Sequence, residues 1–267
     1  MGTAMVNVLG AMLGGAFAVF LTAPALILMG LLERFGPVYG KRPAFKSWLK
    51  GFAFQVVGIS LGNVLLMFTG PWLPRFHPLW PAMWVGAAFV FSDFLHYWEH
   101  RAEHWVFWRI HAVHHSTEDL CSTSNFHHFT DGLLFAAIYG IPMSLVTHDP
   151  LAGIWAGTGV QIWATFTHSP TKLSIGPLNW IFQDNRLHRI HHSAEPQHWD
   201  KNFGAVFQIW DTLFGTSYRP ARGEWPETGI AHYREIERIT DYLARPLMRY
   251  RIDADRAAKA TGSYKEA

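Results

Sequence analysis

The chain has 267 residues, of which 49% are hydrophobic and only 16% charged, well below the roughly 25% charged residues of an ordinary soluble domain. A formal net charge of +2 provides no basic surface for nucleic acid, and the single cysteine, Cys121, excludes an intrachain disulfide framework. The composition therefore excludes a disordered or disulfide-stapled chain, and no nucleic-acid partner is expected.

Five segments without Asp, Glu, Lys or Arg predict membrane spans, each of which needs about 20 apolar residues. They are residues 1–32, 51–74, 76–92, 132–148 and 150–171. The first three are expected to cross the bilayer, and the last two are expected either to cross fully or to form a shallow hairpin. The first segment lacks the basic start of a signal peptide and its apolar run is longer, so it is expected to remain as an anchor.

The basic residues predict the orientation of these spans. Five crossings with the N-terminus outside place 21 of the 22 lysines and arginines on one side, which the positive-inside rule identifies as cytoplasmic. The same arrangement puts most of the histidines and the C-terminus on the cytoplasmic side. We therefore expect a multi-pass integral membrane protein.

Histidine is distributed very unevenly. Residues 96–198 contain 14 of the 16 histidines, where a uniform distribution would place about six. If the third span continues as a helix, the pair at 100–104 shares one face and His111 follows two turns later. The pattern His-x-x-His-His occurs at 111–115 and again at 188–192. These histidines are too many for one ion, and the pattern predicts a dinuclear metal centre.

These motifs resemble the fatty acid hydroxylase/sterol desaturase superfamily of integral membrane di-iron oxygenases. The matching segments are residues 93–104, 111–116, 167–169, 188–192, 200–204 and 210–216. The resemblance implies an all-α fold, an integral membrane helical bundle with a cytoplasmic histidine-rich helical cap that holds a dinuclear metal site. Within one integral membrane domain, we expect anchor helices over 1–85, a fatty acid hydroxylase-like catalytic core over 86–217, and a solvated, mixed-charge helical cytoplasmic tail over 218–267.

Carried over position by position, the resemblance implies nine histidine metal ligands. They are His100, His104, His111, His114, His115, His168, His188, His191 and His192. Spacing alone does not find His168, although it lies at the cytoplasmic end of the fifth uncharged segment. Some family members carry a further histidine one turn earlier, where this chain has Ala164. Whether His96 or His128 replaces it stays open.

Two aspartates near the histidine motifs are expected to orient the ligands. Asp93 and Asp211 are suited to accept hydrogen bonds from imidazoles bound to a metal. The alternative for each is an ordinary acidic residue at a helix end. The sequence does not separate these two roles.

The resemblance also implies the chemistry of the site. Two iron ions are the expected cofactor, with zinc as an alternative occupant after purification, and O2 is the co-substrate. The expected reaction hydroxylates or desaturates a C–H bond of a membrane lipid, such as a sterol or a fatty acyl chain, that enters from the bilayer. No catalytic side chain beyond the metal centre is expected. The chain has no Gly-x-Gly-x-x-Gly nucleotide motif, so an external ferredoxin, cytochrome or reductase is expected to supply electrons.

Two other functional classes remain open at this point. A membrane zinc hydrolase would use the same histidines to activate water, with Glu99 or Glu103 as the base. A metal transporter or sensor is the other alternative. Transporters bind ions near the middle of the bilayer, whereas these histidines are expected at helix ends on one side. Neither the lipid nor the choice between hydroxylation and desaturation follows from the sequence.

Overall fold

The computed structural model describes residues 20–69, 81–131, 134, 150–230, 233 and 235–247, and this part of the chain is helical. Helix α1 covers residues 20–35, followed by α2 (Phe45–Thr69), α3 (Pro81–Trp105), α4 (Trp108–His115), α5 (Pro150–Thr167), α6 (Asn185–His191), α7 (Ile209–Leu213) and α8 (Ile239–Ala244). The β structure of the described residues consists of isolated bridges, such as the one between Val38 and Thr171. The prediction of a helical fold is confirmed to this extent.

The expected membrane spans find no support in helix length and hydropathy. No helix in the described ranges is both long enough and apolar enough to cross a bilayer. Parts of the expected spans at 1–32, 51–74 and 76–92, and nearly all of the one at 132–148, lie outside the described residues. The number and orientation of the spans stay predictions.

The chain turns between α3 and α4, so one continuous helix to His111, as expected from the spacing, is wrong. The amide of Phe107 donates to the carbonyl of Ala102, five residues back, at 3.3 Å. Phe107 itself has φ −108° and ψ 22°, outside the α-helical region. Helix α3 therefore ends at Trp105, and α4 begins at Trp108 and returns His111 towards α3.

The helices that carry the histidines pack against one another in sequence. Helix α3 contacts α4 and α5, and α5 contacts α6. Proline at the first position of α3 and of α5 suits a helix start, because the first amide needs no acceptor. Asp184 caps α6 by accepting hydrogen bonds from the amides of Arg186 and Leu187 at 3.1 and 2.9 Å. The four helices thus converge on one region.

Asp93 on α3 anchors the segment that precedes α7. Its fully buried carboxylate accepts hydrogen bonds from the amides of Val206 and Phe207 at 2.8 and 3.0 Å, and from Trp210 Nε1 at 2.8 Å. These three donors compensate for the burial of the charge. Asp93 therefore holds two backbone amides in place, and the expectation that it accepts a hydrogen bond from an imidazole is wrong.

Asp211 on α7 fixes the same segment from the other side. Its carboxylate accepts hydrogen bonds from the amides of Phe203 and Gly204, each at 2.8 Å, and from Thr216 Oγ1 at 2.6 Å. Thr216 Oγ1 lies 2.9 Å from the hydroxyl of Tyr97 on α3. Asp211 therefore accepts hydrogen bonds that hold the loop around residues 200–217, and the expectation that it accepts one from an imidazole is wrong.

We expect Gly204→Ala to lower the free energy of unfolding by about 2 kcal/mol. A Cβ at this position would lie 2.4 Å from the carbonyl oxygen of Phe207 and 3.1 Å from Asp211 Oδ2, and the carbonyl oxygen belongs to a segment held by Asp93. The control is Gly86→Ala on α3, where a Cβ meets no described atom within 4 Å and alanine favours the helix. Thermal unfolding in detergent measures both, and equal midpoints would contradict the prediction.

The region after residue 218 contributes Tyr242 to the core, whereas Ile239, Thr240 and Leu243 of α8 are exposed, as expected for a solvated tail. Tyr242 is fully buried, and its hydroxyl donates to the carbonyl of His127 at 2.8 Å. The other buried members of this apolar cluster are Phe54, Val113, Phe126 and Ile236. Helix α8 therefore packs against α4 through Tyr242 and is hydrogen-bonded to the segment around His127. Residues 248–267 lie outside the described part.

Candidate metal centre

The nine histidines expected to bind metal lie together in two groups. In each group, one ring nitrogen per residue lies within 4.8 Å of those of all other members. The five-histidine group consists of His100, His104, His111, His115 and His191. The four-histidine group consists of His114, His168, His188 and His192. Each expected ligand thus belongs to one of two sets of the size that one metal ion binds.

Each His-x-x-His-His motif contributes to both groups. On α4, His111 and His115 are four residues apart and belong to the five-histidine group, whereas His114 belongs to the four-histidine group. Neighbouring positions on a helix point about 100° apart, which separates residues 114 and 115. On α6 the assignment is reversed. His188 and His192 belong to the four-histidine group, whereas His191 belongs to the five-histidine group. The rings of His115 and His192 stack at 4.4 Å, so the two groups adjoin.

Helices α3 and α5 supply the remaining imidazoles. The Nε2 atoms of His100 and His104 each lie 3.0 Å from the Nε2 atom of a histidine on α4. His168 follows the last residue of α5, and its Nε2 lies 3.1 Å from Nε2 of His188. The four chain segments α3, α4, α6 and the end of α5 therefore direct the same ring atom towards common points.

The segment Asp200–Gly204 orients two members of the five-histidine group through its backbone. His100 Nδ1 lies 2.9 Å from the carbonyl oxygen of Phe203, and His191 Nδ1 lies 2.8 Å from that of Lys201. Asn202 between them has a positive φ of 54°, and its buried amide donates to carbonyl oxygens of residues 187 and 218. The sequence resemblance includes this segment, but its role in positioning imidazoles depends on contacts with distant residues, which a local motif does not encode.

The hydrogen bonds of the four-histidine group show that its nitrogens suit a metal. His114 Nδ1 and His168 Nδ1 face the carbonyl oxygens of Phe126 and Ala164 at 3.1 and 2.8 Å, and a carbonyl oxygen only accepts, so each Nδ1 carries the proton. In a neutral imidazole the Nε2 atom is then an acceptor. The two Nε2 atoms nevertheless lie only 3.4 Å apart. Two acceptors that face each other in a buried site are stabilised by a cation, so the donor set fits a metal ion.

Burial also keeps these imidazoles uncharged. Desolvation, reinforced by the neighbouring imidazoles, lowers the pKa of seven of them well below the ordinary value of 6.5. The seven are His100, His111, His114, His115, His188, His191 and His192. The neutral form is the one that binds a metal, so both groups are ready to bind at neutral pH.

A third group, which the sequence did not predict, adjoins the five-histidine group. It contains Glu103, His111, His127 and Asp131, whose ligand atoms lie within 4.8 Å of one another. Glu103 Oε2 lies 2.8 Å from His111 Nδ1, and burial raises the pKa of Glu103 well above its ordinary value. Because the Nε2 atom of His111 belongs to the five-histidine group, the carboxylate is placed to hold the ring in orientation from behind.

We expect Glu103→Ala to weaken metal retention about 10- to 100-fold, because it removes the acceptor behind His111. Glu103→Gln keeps an acceptor oxygen and should retain most of the affinity. Competition with a chelator, followed by measurement of bound metal, quantifies both variants. Equal affinities of the alanine variant and the unmodified protein would show that the carboxylate does not support His111.

Neither of the two additional ligands considered from the sequence lies in the histidine groups. His96 Nδ1 lies 3.0 Å from Glu99 Oε2, on the same helix. His128 Nδ1 lies 2.5 Å from Thr130 Oγ1. In the described part of the chain, their nitrogens are not among those of the two groups.

A cavity of about 320 Å³ opens beside both groups. Members of each group line it, together with Ala164, at the position where some family members carry a further histidine. Its apolar walls include Phe54, Ile59, Phe126 and Val160. A ligand in this cavity can therefore reach both histidine groups while its apolar part contacts nonpolar side chains.

The comparison with protein families agrees with the geometry. The family model described as fatty acid hydroxylase matches residues 85–216, which include all nine histidines. This chain belongs to the fatty acid hydroxylase/sterol desaturase superfamily. The resemblance inferred from the motifs is thereby confirmed. No solved structure matches this superfamily member.

Several curated proteins are similar to it. Ornithine lipid hydroxylase OlsE from Rhizobium tropici is 33% identical over 72% of this chain and 60% of its own length. Alkylglycerol monooxygenase from Caenorhabditis elegans is 32% identical over 56% of this chain and 30% of its own length. Very-long-chain aldehyde decarbonylase GL1-11 from rice is 30% identical over 50% of this chain and 53% of its own length. The chain thus spans less than two thirds of each of these relatives.

Proposed function

We propose that this superfamily member is an O2-dependent oxidoreductase that hydroxylates a C–H bond of a membrane lipid. The observation that carries the proposal is the convergence of imidazole nitrogens in two adjoining groups beside one cavity. The relatives named as a lipid hydroxylase and an alkylglycerol monooxygenase support a lipid substrate and oxygen insertion. Hydroxylation is favoured over desaturation because both names describe it.

The nine histidines are proposed to hold two iron ions, one in each group. When bound, the irons would supply O2 activation and cleavage of the C–H bond. The chain contributes orientation, because backbone carbonyls hold the protons of His100, His114, His168 and His191 on Nδ1 and leave Nε2 free to bind. It also excludes water, because His111, His114 and His192 are at most 2% exposed.

The surroundings of the site suggest how the other reactants arrive. A lipid is proposed to enter the cavity beside the histidines along its apolar wall. We propose that the protein is membrane-integrated, with the metal site and C-terminus cytoplasmic and the N-terminus outside. Two electrons per turnover are proposed to come from a separate ferredoxin, cytochrome or reductase.

The test combines metal content with product analysis on detergent-purified protein expressed in iron-supplemented medium. We expect about two irons per chain, because each of the two groups has enough imidazoles to bind one ion. The double variant His188→Ala, His191→Ala should lose this iron. The matched control His96→Ala, outside both groups, should keep its metal. With a reductant, an electron donor and isotopically labelled O2, a lipid extract should gain one labelled oxygen atom.

The opposite results are equally clear. Stoichiometric zinc that persists when iron is abundant, together with lipid hydrolysis, would favour the zinc hydrolase. No bound metal under any condition would overturn the proposed metal centre. Bound iron with removal of two hydrogens and no oxygen in the lipid would replace hydroxylation by desaturation.

A further inference from the structure

Three buried carboxylates line the cavity beside the histidines. Glu99, Glu103 and Asp131 are exposed by only 3%, 2% and 5%, respectively. The two glutamates are four residues apart and share one face of α3. No lysine or arginine occurs among the described residues that line this cavity. The cavity wall therefore concentrates acidic groups without a permanent positive charge to balance them.

Imidazoles are the basic groups nearest to these carboxylates, but Glu99 Oε2 and both carboxylate oxygens of Asp131 make no hydrogen bond to a described residue. Glu99 and Glu103 lie 3.0 and 2.8 Å from the Nδ1 atoms of His96 and His111. Asp131 Oδ2 lies 3.4 Å from His127 Nδ1. Asp131 Oδ1 is buried at the cavity and has no hydrogen-bond partner among the described residues. An unpartnered buried carboxylate oxygen is costly and indicates that something else approaches it.

The residues around Asp131 disfavour a third metal ion as this partner. His111 belongs to the five-histidine group through Nε2, and Glu103 contacts the Nδ1 atom of the same ring. Asp131 and His127 then remain, and two side chains are too few ligands for a tightly held ion. The cavity of about 320 Å³ instead has the size of a small organic ligand.

We infer that the cavity binds an amphiphile with a cationic amine, with Asp131 and Glu99 facing the ammonium group and the apolar wall facing the chain. This inference rests on the proposed function, and it names the substrate class as lipids that carry an amine close to the carbon that reacts. An ammonium group supplies several N–H donors, which a neutral alcohol or an acyl carboxylate lacks. It satisfies the carboxylates without any change in the histidine groups.

Binding of three eight-carbon probes to the iron-loaded protein tests the inference. Octylamine, octanol and octanoate are titrated in nonionic detergent by isothermal titration calorimetry, and titrations into detergent alone are subtracted. We expect octylamine to bind at least about tenfold more tightly than octanol, a difference of about 1.4 kcal/mol, and octanoate to bind most weakly. Asp131→Asn should reduce the preference for the amine to less than about threefold.

Two further variants complete the design. Glu99→Gln replaces a second carboxylate and should weaken amine binding even if Asp131→Asn does not fold. Glu237→Gln is the control, because this carboxylate is exposed, pairs with Lys46 and is not among the residues that line the cavity. The control should keep the full preference for octylamine.

The outcomes separate this inference from the proposed function. Equal binding of octylamine and octanol would overturn the inference even if the enzyme hydroxylates lipids. A third metal ion per chain that disappears in Asp131→Asn would also overturn it, in favour of a metal site. A retained amine preference in a protein that never inserts oxygen would support the inference and refute the proposed reaction.

Discussion

Replacing His168 with alanine is expected to remove one iron per chain and to lower lipid hydroxylation at least about 100-fold. His168 belongs to the group with only four imidazoles, so its loss leaves three. His104→Ala should be milder, because its group keeps four imidazoles and because His104 lies at the edge of the site, 3.3 Å from the exposed Asp200. Metal analysis and single-turnover product formation measure both effects.

The difference in iron content and activity between His168→Ala and His104→Ala tests the division of the histidines into groups of five and four. If both lose the same amount of iron and activity, the division into groups of five and four does not describe metal binding. If His104→Ala is the more damaging variant, the edge residue is the essential ligand and the assignment of His168 must be revised. Circular dichroism of each variant in the same detergent controls for loss of fold.

The metal-free protein is expected to unfold as the pH falls from about 6.5 to about 5. The pKa values of the seven buried histidines lie well below 6.5 in the folded state, so at intermediate pH the unfolded chain binds more protons. Stability is therefore fully present above the unfolded pKa and is lost below it. Each imidazole contributes up to about 1.4 kcal/mol per pH unit to this loss, so seven contribute up to about 10 kcal/mol per pH unit. That sum is comparable with the stability of a whole domain.

Denaturant unfolding of the chelator-treated protein between pH 7.5 and pH 5 measures this slope. The metal-loaded protein is the control, and its midpoint should decline at a lower pH, because bound metal competes with protons for the same nitrogens. A stability that stays flat across this range in the metal-free protein would show that the imidazoles are not held neutral by the fold.

Much of the histidine site follows from the sequence because helical spacing is a local property. The i, i+4 spacing of His100 and His104 and the two His-x-x-His-His motifs predict which imidazoles share a helix face. The resemblance adds His168, which no local spacing connects with the others. The structure then places all of these residues in the two groups.

The remaining features depend on contacts between distant segments, which a local pattern does not encode. Nothing in the sequence near Asp131 indicates that its carboxylate lies close to that of Glu103 on α3. Imidazoles are the donors that the sequence predicts for the carboxylates of Asp93 and Asp211, but backbone amides donate instead, because the loop at 203–207 must pair its N–H groups. The break after Trp105 likewise has no proline or glycine to mark it in the sequence, and it accompanies the packing of α4 against α3.

Helices α4 and α6 each contribute histidines to both groups, and this arrangement bears on how these short helices can rotate. A helix tied to one point can still rotate about its own axis, whereas a helix tied to two points about 100° apart cannot. Both helices contribute histidines to the same two groups, so each would be tied in this way if the proposed metal ions are bound. A twist of either helix would displace ligands at both points simultaneously. With the proposed metal ions bound, the histidine pattern would therefore prevent rotation of either helix, and loss of one metal ion would disturb the ligands of the other.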